Sequence, residues 1–222
     1  MLILAPSILS ADFRILEEQL AETKKGGAVY SHIDVMDGTF VQQISFGDPI
    51  IKSIRPSTDL FFDVHLMTMH PETQLDRMAE CGADLITFHL EAAAYPDEMI
   101  DRIHALGKKC GLAIKPRTPV KAMLPYMDRI DMLLIMTVEP GLGGQAYIPE
   151  STEKIITARK MFTEAGLHTD IEVDGGIKLN NVDIVLDAGA NVIVAGSAVY
   201  GGDVYGRTKA FMDHFRGWEA DH

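Results

Sequence analysis

Short, nearly unbroken apolar runs alternate along this chain with longer segments whose apolar residues recur every three or four positions. The short runs fall at residues 3–7, 30–35, 60–65, 85–89, 109–114, 132–136, 168–173 and 192–194. Their continuous apolar character predicts parallel strands covered on both faces. The longer, amphipathic segments fall at 12–25, 48–54, 71–80, 97–106, 120–127, 150–165, 181–188 and 204–215, and predict helices. Asp12 stands where an N-cap is expected, and Gly26-Gly27, Gly82, Gly107, Gly166 and Gly189 each fall just past a helical pattern. Three helix ends share one phrase: Glu80-Cys81-Gly82-Ala83-Asp84, Glu164-Ala165-Gly166 and Asp187-Ala188-Gly189-Ala190-Asn191. Each phrase leads a helix exit straight into the next buried strand.

Eight such units in 222 residues predict an α/β chain folded as a (β/α)8 TIM barrel, one catalytic domain over residues 1–222. A doubly wound open sheet would require a Gly-rich turn after the first strand, and Ser7-Ile8-Leu9-Ser10-Ala11-Asp12-Phe13 offers none. No linker or low-complexity tract marks a boundary.

Bulk properties narrow the partners. The net charge is −12 and basic residues are scattered, which argues against nucleic acid and against an anionic membrane surface. A small phosphorylated ligand stays open, because backbone N–H groups can hold phosphate on an acidic protein. Cys81 and Cys110 have neither metal-site spacing nor the density of a disulfide scaffold, which suits a reducing compartment. The apolar N-terminus lacks a basic leader and reads as a first strand, and no apolar run approaches membrane-spanning length. A soluble, cytoplasmic protein is expected.

In such a barrel the functional face is the C-terminal end of the strands. His32 and Asp34 share a side of their strand, as do Asp63 and His65, and Asp174 ends the seventh. His32, Asp34, His65 and Asp174 are therefore expected to converge on one rim as a site for a divalent cation, with Zn²⁺, Fe²⁺, Mn²⁺ and Co²⁺ all acceptable to two imidazoles and two carboxylates. Pro140-Gly141-Leu142-Gly143-Gly144-Gln145, Gly175-Gly176 and Gly196-Ser197 follow the last three strands, where barrels frequently hold phosphate. Met36, Met67 and Met136 are expected to line the cavity, and Asp63 to orient a ligand imidazole. Asp37 is expected to order the turn before Gly38. His89 and Lys115 reach towards the pocket without an assigned catalytic part.

The motifs "APSILSADF", "HIDVMDGTF", "DVHLM", "TFHLEA", "MTVEPGLGGQAYIPE", "VDGGI" and "AGSAVY" occur in order from Ala5 to about Tyr200. Together they resemble the ribulose-phosphate 3-epimerase family. The resemblance implies a barrel isomerase that interconverts D-ribulose 5-phosphate and D-xylulose 5-phosphate in the pentose phosphate pathway. It implies one divalent metal ion per subunit (Zn, Fe, Mn or Co) on His32, Asp34, His65 and Asp174, and an acid/base pair at Asp34 and Asp174. Substrate contacts map to Ser7, His65, Gly141, Leu142, Gly143, Gly144, Asp174, Gly175, Gly176, Gly196 and Ser197. It also implies a homo-oligomer, dimer or hexamer. The chemistry is coherent: inverting a carbon beside a ketone takes a base on one face, an acid on the other, and a metal-stabilised enediolate between them.

Three places depart from the family's usual pattern: Val41-Gln42-Gln43 after the second strand, Leu142 in the sixth loop, and Glu139 before its Pro-Gly. They border the pocket, so a related ketose phosphate such as D-allulose 6-phosphate is the alternative substrate. A decarboxylase on the same barrel would want Asp-x-Lys-x-x-Asp on the third strand, and Asp63-Val64-His65-Leu66-Met67-Thr68 lacks the lysine and the second aspartate. A phosphosugar-binding barrel without turnover would have no use for two proton-transfer carboxylates.

Overall fold

The computed structural model describes residues 1–222. Eight strands form one parallel sheet: β1 (Ile3–Pro6), β2 (Tyr30–Met36), β3 (Phe61–Met67), β4 (Leu85–His89), β5 (Lys109–Ile114), β6 (Met132–Met136), β7 (Asp170–Asp174) and β8 (Val192–Ala195). Their order, β1-β8-β7-β6-β5-β4-β3-β2, runs once around a cylinder. A parallel bridge between Ser7 and His32 brings the two edge strands together. The expected barrel is the observed one.

Helices pack outside: α1 (Leu16–Gly26), α2 (Asp48–Ile54), α3 (Leu75–Glu80), α4 (Pro96–Ala105), α5 (Ser151–Glu164), α6 (Val182–Asp187), α7 (Ser197–Tyr200) and α8 (Val204–Asp221). The last helix returns against the first, where Thr208 lies so near Gly26 that a Cβ there would come within 2.6 Å of it. Asp12 does cap, accepting from the Arg14 N–H at 3.0 Å, but what it starts is a 3₁₀ turn ahead of α1. No helix is long and apolar enough to cross a membrane.

One expected helix is absent. Residues 120–127 form a 3₁₀ segment, Val120–Tyr126. Pro125 has no N–H to offer Lys121, and its ring crowds that carbonyl, so an α-helix cannot propagate through it. Strand ends differ too. The second and third strands run on to Met36 and Met67, whose Cα positions still pair, and the seventh spans Asp170–Asp174 where 168–173 was expected. Asp34 and His65, which read as near the strand ends, therefore lie inside their strands, whereas His89 and Asp174 do end theirs.

Outward-facing strand residues such as Ile33, Val64, Phe88, Leu112 and Ile171 join helix residues in an apolar layer of 48 buried residues. Apolar clusters elsewhere hold 5, 4 and 3. Packing between strands and helices therefore dominates stability, which leaves the barrel interior free to hold polar groups. The cluster of five, Ala5, Leu85, Met132, Val192 and Val194, plugs the N-terminal end of the barrel, with Tyr30 and Phe61 stacked against it at 4.3 Å between centroids. The other end stays open.

The loops after β6 and β7 are tied together. The Thr137 N–H donates to the Asp174 carbonyl at 2.8 Å and its hydroxyl to the Gly175 carbonyl at 2.6 Å. At Gly176, φ is +72° and a Cβ would lie 2.3 Å from the backbone nitrogen of Tyr147; at Gly144, φ is +76° but nothing lies within 4 Å. Both substitutions carry the left-handed penalty, and only one must also displace backbone. Gly176→Ala is therefore expected to lower unfolding free energy by about 1 kcal/mol or more beyond Gly144→Ala, as read from denaturant midpoints at unchanged m-value.

Candidate active site

Three inward-facing rungs climb the β2–β3 pair, because the register sets His32 opposite Asp63, Asp34 opposite His65, and Met36 opposite Met67. Across the barrel, β6 and β7 set Leu134 opposite Glu172 and Met136 opposite Asp174. Methionines therefore form the top of one wall and part of the other, with carboxylates and imidazoles at and beneath them. Met36, Met67 and Met136 line the cleft, as expected.

The four residues expected to converge do so. Ligating atoms of His32, Asp34, His65 and Asp174 lie within 4.8 Å of one another. Asp34 Oδ1 is 3.2 Å from His32 Nε2 and 3.1 Å from His65 Nδ1, and Asp174 Oδ2 is 3.9 Å from that same Nδ1. The cluster lies inside the mouth rather than on its rim, since Asp34 and His65 are two residues below their strand ends. Both histidines are fully buried, while Asp34 and Asp174 line the open cleft above them. Ser7, from the end of β1, donates its hydroxyl to Asp34 Oδ2 at 2.6 Å.

The two cleft carboxylates are pulled apart. Burial works against an ionised Asp34, but the charge and hydrogen bonds of His32 and His65 outweigh it and hold Asp34 below the usual carboxylate range. Asp174 is raised to about 6, first by burial and then by the neighbouring Asp34 charge. Burial also opposes a charged His32, yet Asp34, Asp63 and Glu172 together raise it well above an ordinary histidine. As a set, two imidazole nitrogens and two carboxylates open to a cleft on one side suit a divalent transition metal with free positions for a ligand. A second group, His32, Asp63 and Glu172, is closed on all sides and offers no such opening.

Asp63 orients an imidazole, and it is that of its register partner: His32 Nδ1 lies 2.5 Å from Asp63 Oδ2. That bond leaves Nε2 facing Asp34. Glu172, which sequence reading passed over, is fully buried 3.4 Å from the same His32 Nδ1. Burial, then the Asp63 charge, pushes Glu172 well above its ordinary value and favours its neutral form. Its signal was available, since residues 170, 172 and 174 alternate as inward acids on β7. Asp37 orders its turn by accepting from the N–H groups of Thr39, Phe40 and Met69. Lys115 places Nζ over the Phe40 ring at 3.7 Å, and His89 lies behind His65.

The cleft, counted with the solvent at its open mouth, spans about 650 Å³. Ser7, Gly141, Leu142, Gly143, Gly144, Gly175, Gly176, Gly196 and Ser197 all line it, so the three glycine loops do meet. Gly196 is glycine for space, with Ser10 Oγ 2.6 Å from where a Cβ would be. Lys178, not singled out from the sequence, is the one cation among the lining residues. Of the departures noted above, Leu142 borders the cleft, whereas Val41, Gln42, Gln43 and Glu139 do not.

Comparison with solved structures finds the same barrel at low sequence similarity. KGPDC from Streptococcus mutans superposes with a TM-score of 0.71 at 14% identity, covering 97% of this chain and 98% of that one. Thiamine phosphate pyrophosphorylase from Pyrococcus furiosus gives 0.65 at 19% identity, covering 96% and 94%. These show the fold alone. Sequence relatives say more. The chain is 44% identical to ribulose-phosphate 3-epimerase from Schizosaccharomyces pombe, covering 89% of this chain and 86% of that protein. It is 45% identical to ribulose-phosphate 3-epimerase from Bacillus subtilis, covering 90% and 93%. It is 42% identical to the chloroplastic ribulose-5-phosphate-3-epimerase of Arabidopsis thaliana, covering 92% and 73%. A family model described as the ribulose-phosphate 3 epimerase family matches residues 3–200, the same stretch that supplies every strand and every side chain lining the cleft. The chain therefore belongs to the ribulose-phosphate 3-epimerase family and is an epimerase of the isomerase class.

Proposed function

We propose that this chain interconverts D-ribulose 5-phosphate and D-xylulose 5-phosphate by inverting C3, with Asp34 and Asp174 as the two proton carriers. The observation that carries this reading is the placement of those carboxylates on separate walls of one cleft, β2 and β7, with opposite proton affinities. Pairs driven apart in this way divide acid and base work between them. Asp34, kept ionised, takes the C3 proton from one face. Its Oδ2 points towards Ser7 and away from the imidazoles, so that oxygen handles the proton. Asp174, which holds a proton more readily, delivers one to the opposite face, and the roles exchange in the reverse direction.

His32, Asp34, His65 and Asp174 are the residues that would hold a divalent ion, Zn²⁺, Fe²⁺, Mn²⁺ or Co²⁺. When bound, it supplies Lewis-acid stabilisation for the negative charge that develops on the sugar's oxygens in the enediolate. The methionine tops of both walls restrict water near that carbanionic carbon. The three glycine loops and Lys178 take the phosphate, at the end of the barrel where such groups are commonly held. A pentose phosphate is favoured over D-allulose 6-phosphate because the Val41-Gln42-Gln43 departure stays off the cleft wall, and because the relatives named above act on ribulose phosphate.

Purified protein in deuterated solvent is expected to convert D-ribulose 5-phosphate to D-xylulose 5-phosphate with deuterium at C3. Chelation should stop the exchange, and one of the four metals should restore it. Sugar that stays unlabelled in metal-replete protein would refute the proton-transfer reading. Asp34→Asn and Asp174→Asn should each reduce kcat by roughly a thousandfold, the usual scale of a lost acid or base, with an unchanged circular dichroism spectrum. Ser197→Ala should act differently, raising KM about tenfold through one lost hydrogen bond to phosphate while kcat changes little.

A further inference from the structure

His65 shows its two ring nitrogens to different surroundings. Nδ1 faces Asp34 and Asp174, whereas Nε2 lies 2.9 Å from Nε2 of His89, with both rings fully buried. Two imidazole nitrogens can share a hydrogen bond only if one carries the proton and the other a lone pair. An imidazole partner by itself does not decide which. His32 instead meets a carboxylate, that of Asp63.

His89 is itself held by a residue further out. Nδ1 of His89 lies 3.2 Å from Glu91 Oε2. The other oxygen, Oε1, accepts from the Lys115 N–H at 2.7 Å and from the Thr118 hydroxyl, donors from the loop after β5 that favour an ionised carboxylate. An ionised Glu91 can only accept, so His89 carries its proton on Nδ1. That turns Nε2 of His89 onto Nε2 of His65, and Nδ1 of His65 is left to face the cleft cluster.

We propose that His89 and Glu91 are positioning residues, a chain that fixes the ring of His65 with Nε2 engaged by His89 and Nδ1 presented to the cleft as a ligand. The inference rests on the reading of His65 as a metal ligand. Partners of this kind typically contribute 10–100-fold to metal affinity, by order of magnitude.

Long-range nitrogen-15 NMR of the metal-free wild-type protein at neutral pH reads the tautomers without any substitution. The expected result is a proton on Nδ1 of His89; a bare Nδ1 overturns the chain. Zinc affinity by chelator competition supplies the second readout. His89→Phe keeps the ring's bulk but removes both nitrogens, and should weaken zinc binding roughly 10–100-fold. His89→Gln offers an amide oxygen to His65 and an amide N–H to Glu91, and should recover most of that loss. Equal zinc affinity in wild type and both variants overturns the proposal. Should His89→Phe not fold, the wild-type spectrum and His89→Gln decide. A wild-type protein that binds no zinc or other divalent ion overturns the metal reading itself. A bare Nδ1 on His89 in a protein that does bind zinc overturns the positioning chain alone.

Discussion

Everything at the open mouth of the barrel depends on the register between β2 and β3. Pairing His32 with Asp63 and Asp34 with His65 makes each ionisable group the neighbour of a partner that compensates it. Shift one strand by a single residue and these groups would turn towards the helices, while Ile33, Val35, Val64 and Leu66 would fill the interior. Each unpaired charge so buried would cost several kcal/mol, and each outer apolar side chain would lose its packing. Both faces of the strands therefore demand the same alignment. The site is specified by the same choice that closes the barrel.

That arrangement is tolerable because the molecule divides its tasks by layer. Apolar packing is concentrated between strands and helices, where residues such as Phe62, Phe88 and Phe162 are fully excluded from solvent. Polar groups gather in the interior, and several lean on a neighbour: Asp63 on His32, Ser7 on Asp34, Glu91 on His89. Thr87 is part of this economy of space, since Gly111 is the residue that leaves room for its side chain. Groups that would destabilise a uniform core are confined to the one region whose chemistry needs them.

Much of this was legible in the amino-acid order. Alternating apolar runs gave the eight strands, and the shared parity of residues 32 and 34, and of 63 and 65, gave the cluster. What escaped had identifiable reasons. Strand ends were misplaced where buried ionisable residues looked like termini, and a helix was expected through Pro125 because apolar spacing says nothing about a missing N–H. Glu172 was passed over although its alternation with Asp170 and Asp174 marked it as inward, because its neighbours His32 and Asp63 come from strands far away in the chain. His89 could be seen near the pocket, but its link to His65 and Glu91 joins residues 24 and 2 positions away, and only the first of these needs the fold.

The aromatic and aliphatic plug around Tyr30, Phe61, Leu85 and Met132 carries a kinetic consequence. A cylinder stoppered at one end has a single doorway. Whatever enters must back out along the path it came by, and no successor can take the chamber until it has gone. Reactant and outcome thus exclude each other by geometry, and the chamber never holds both at once.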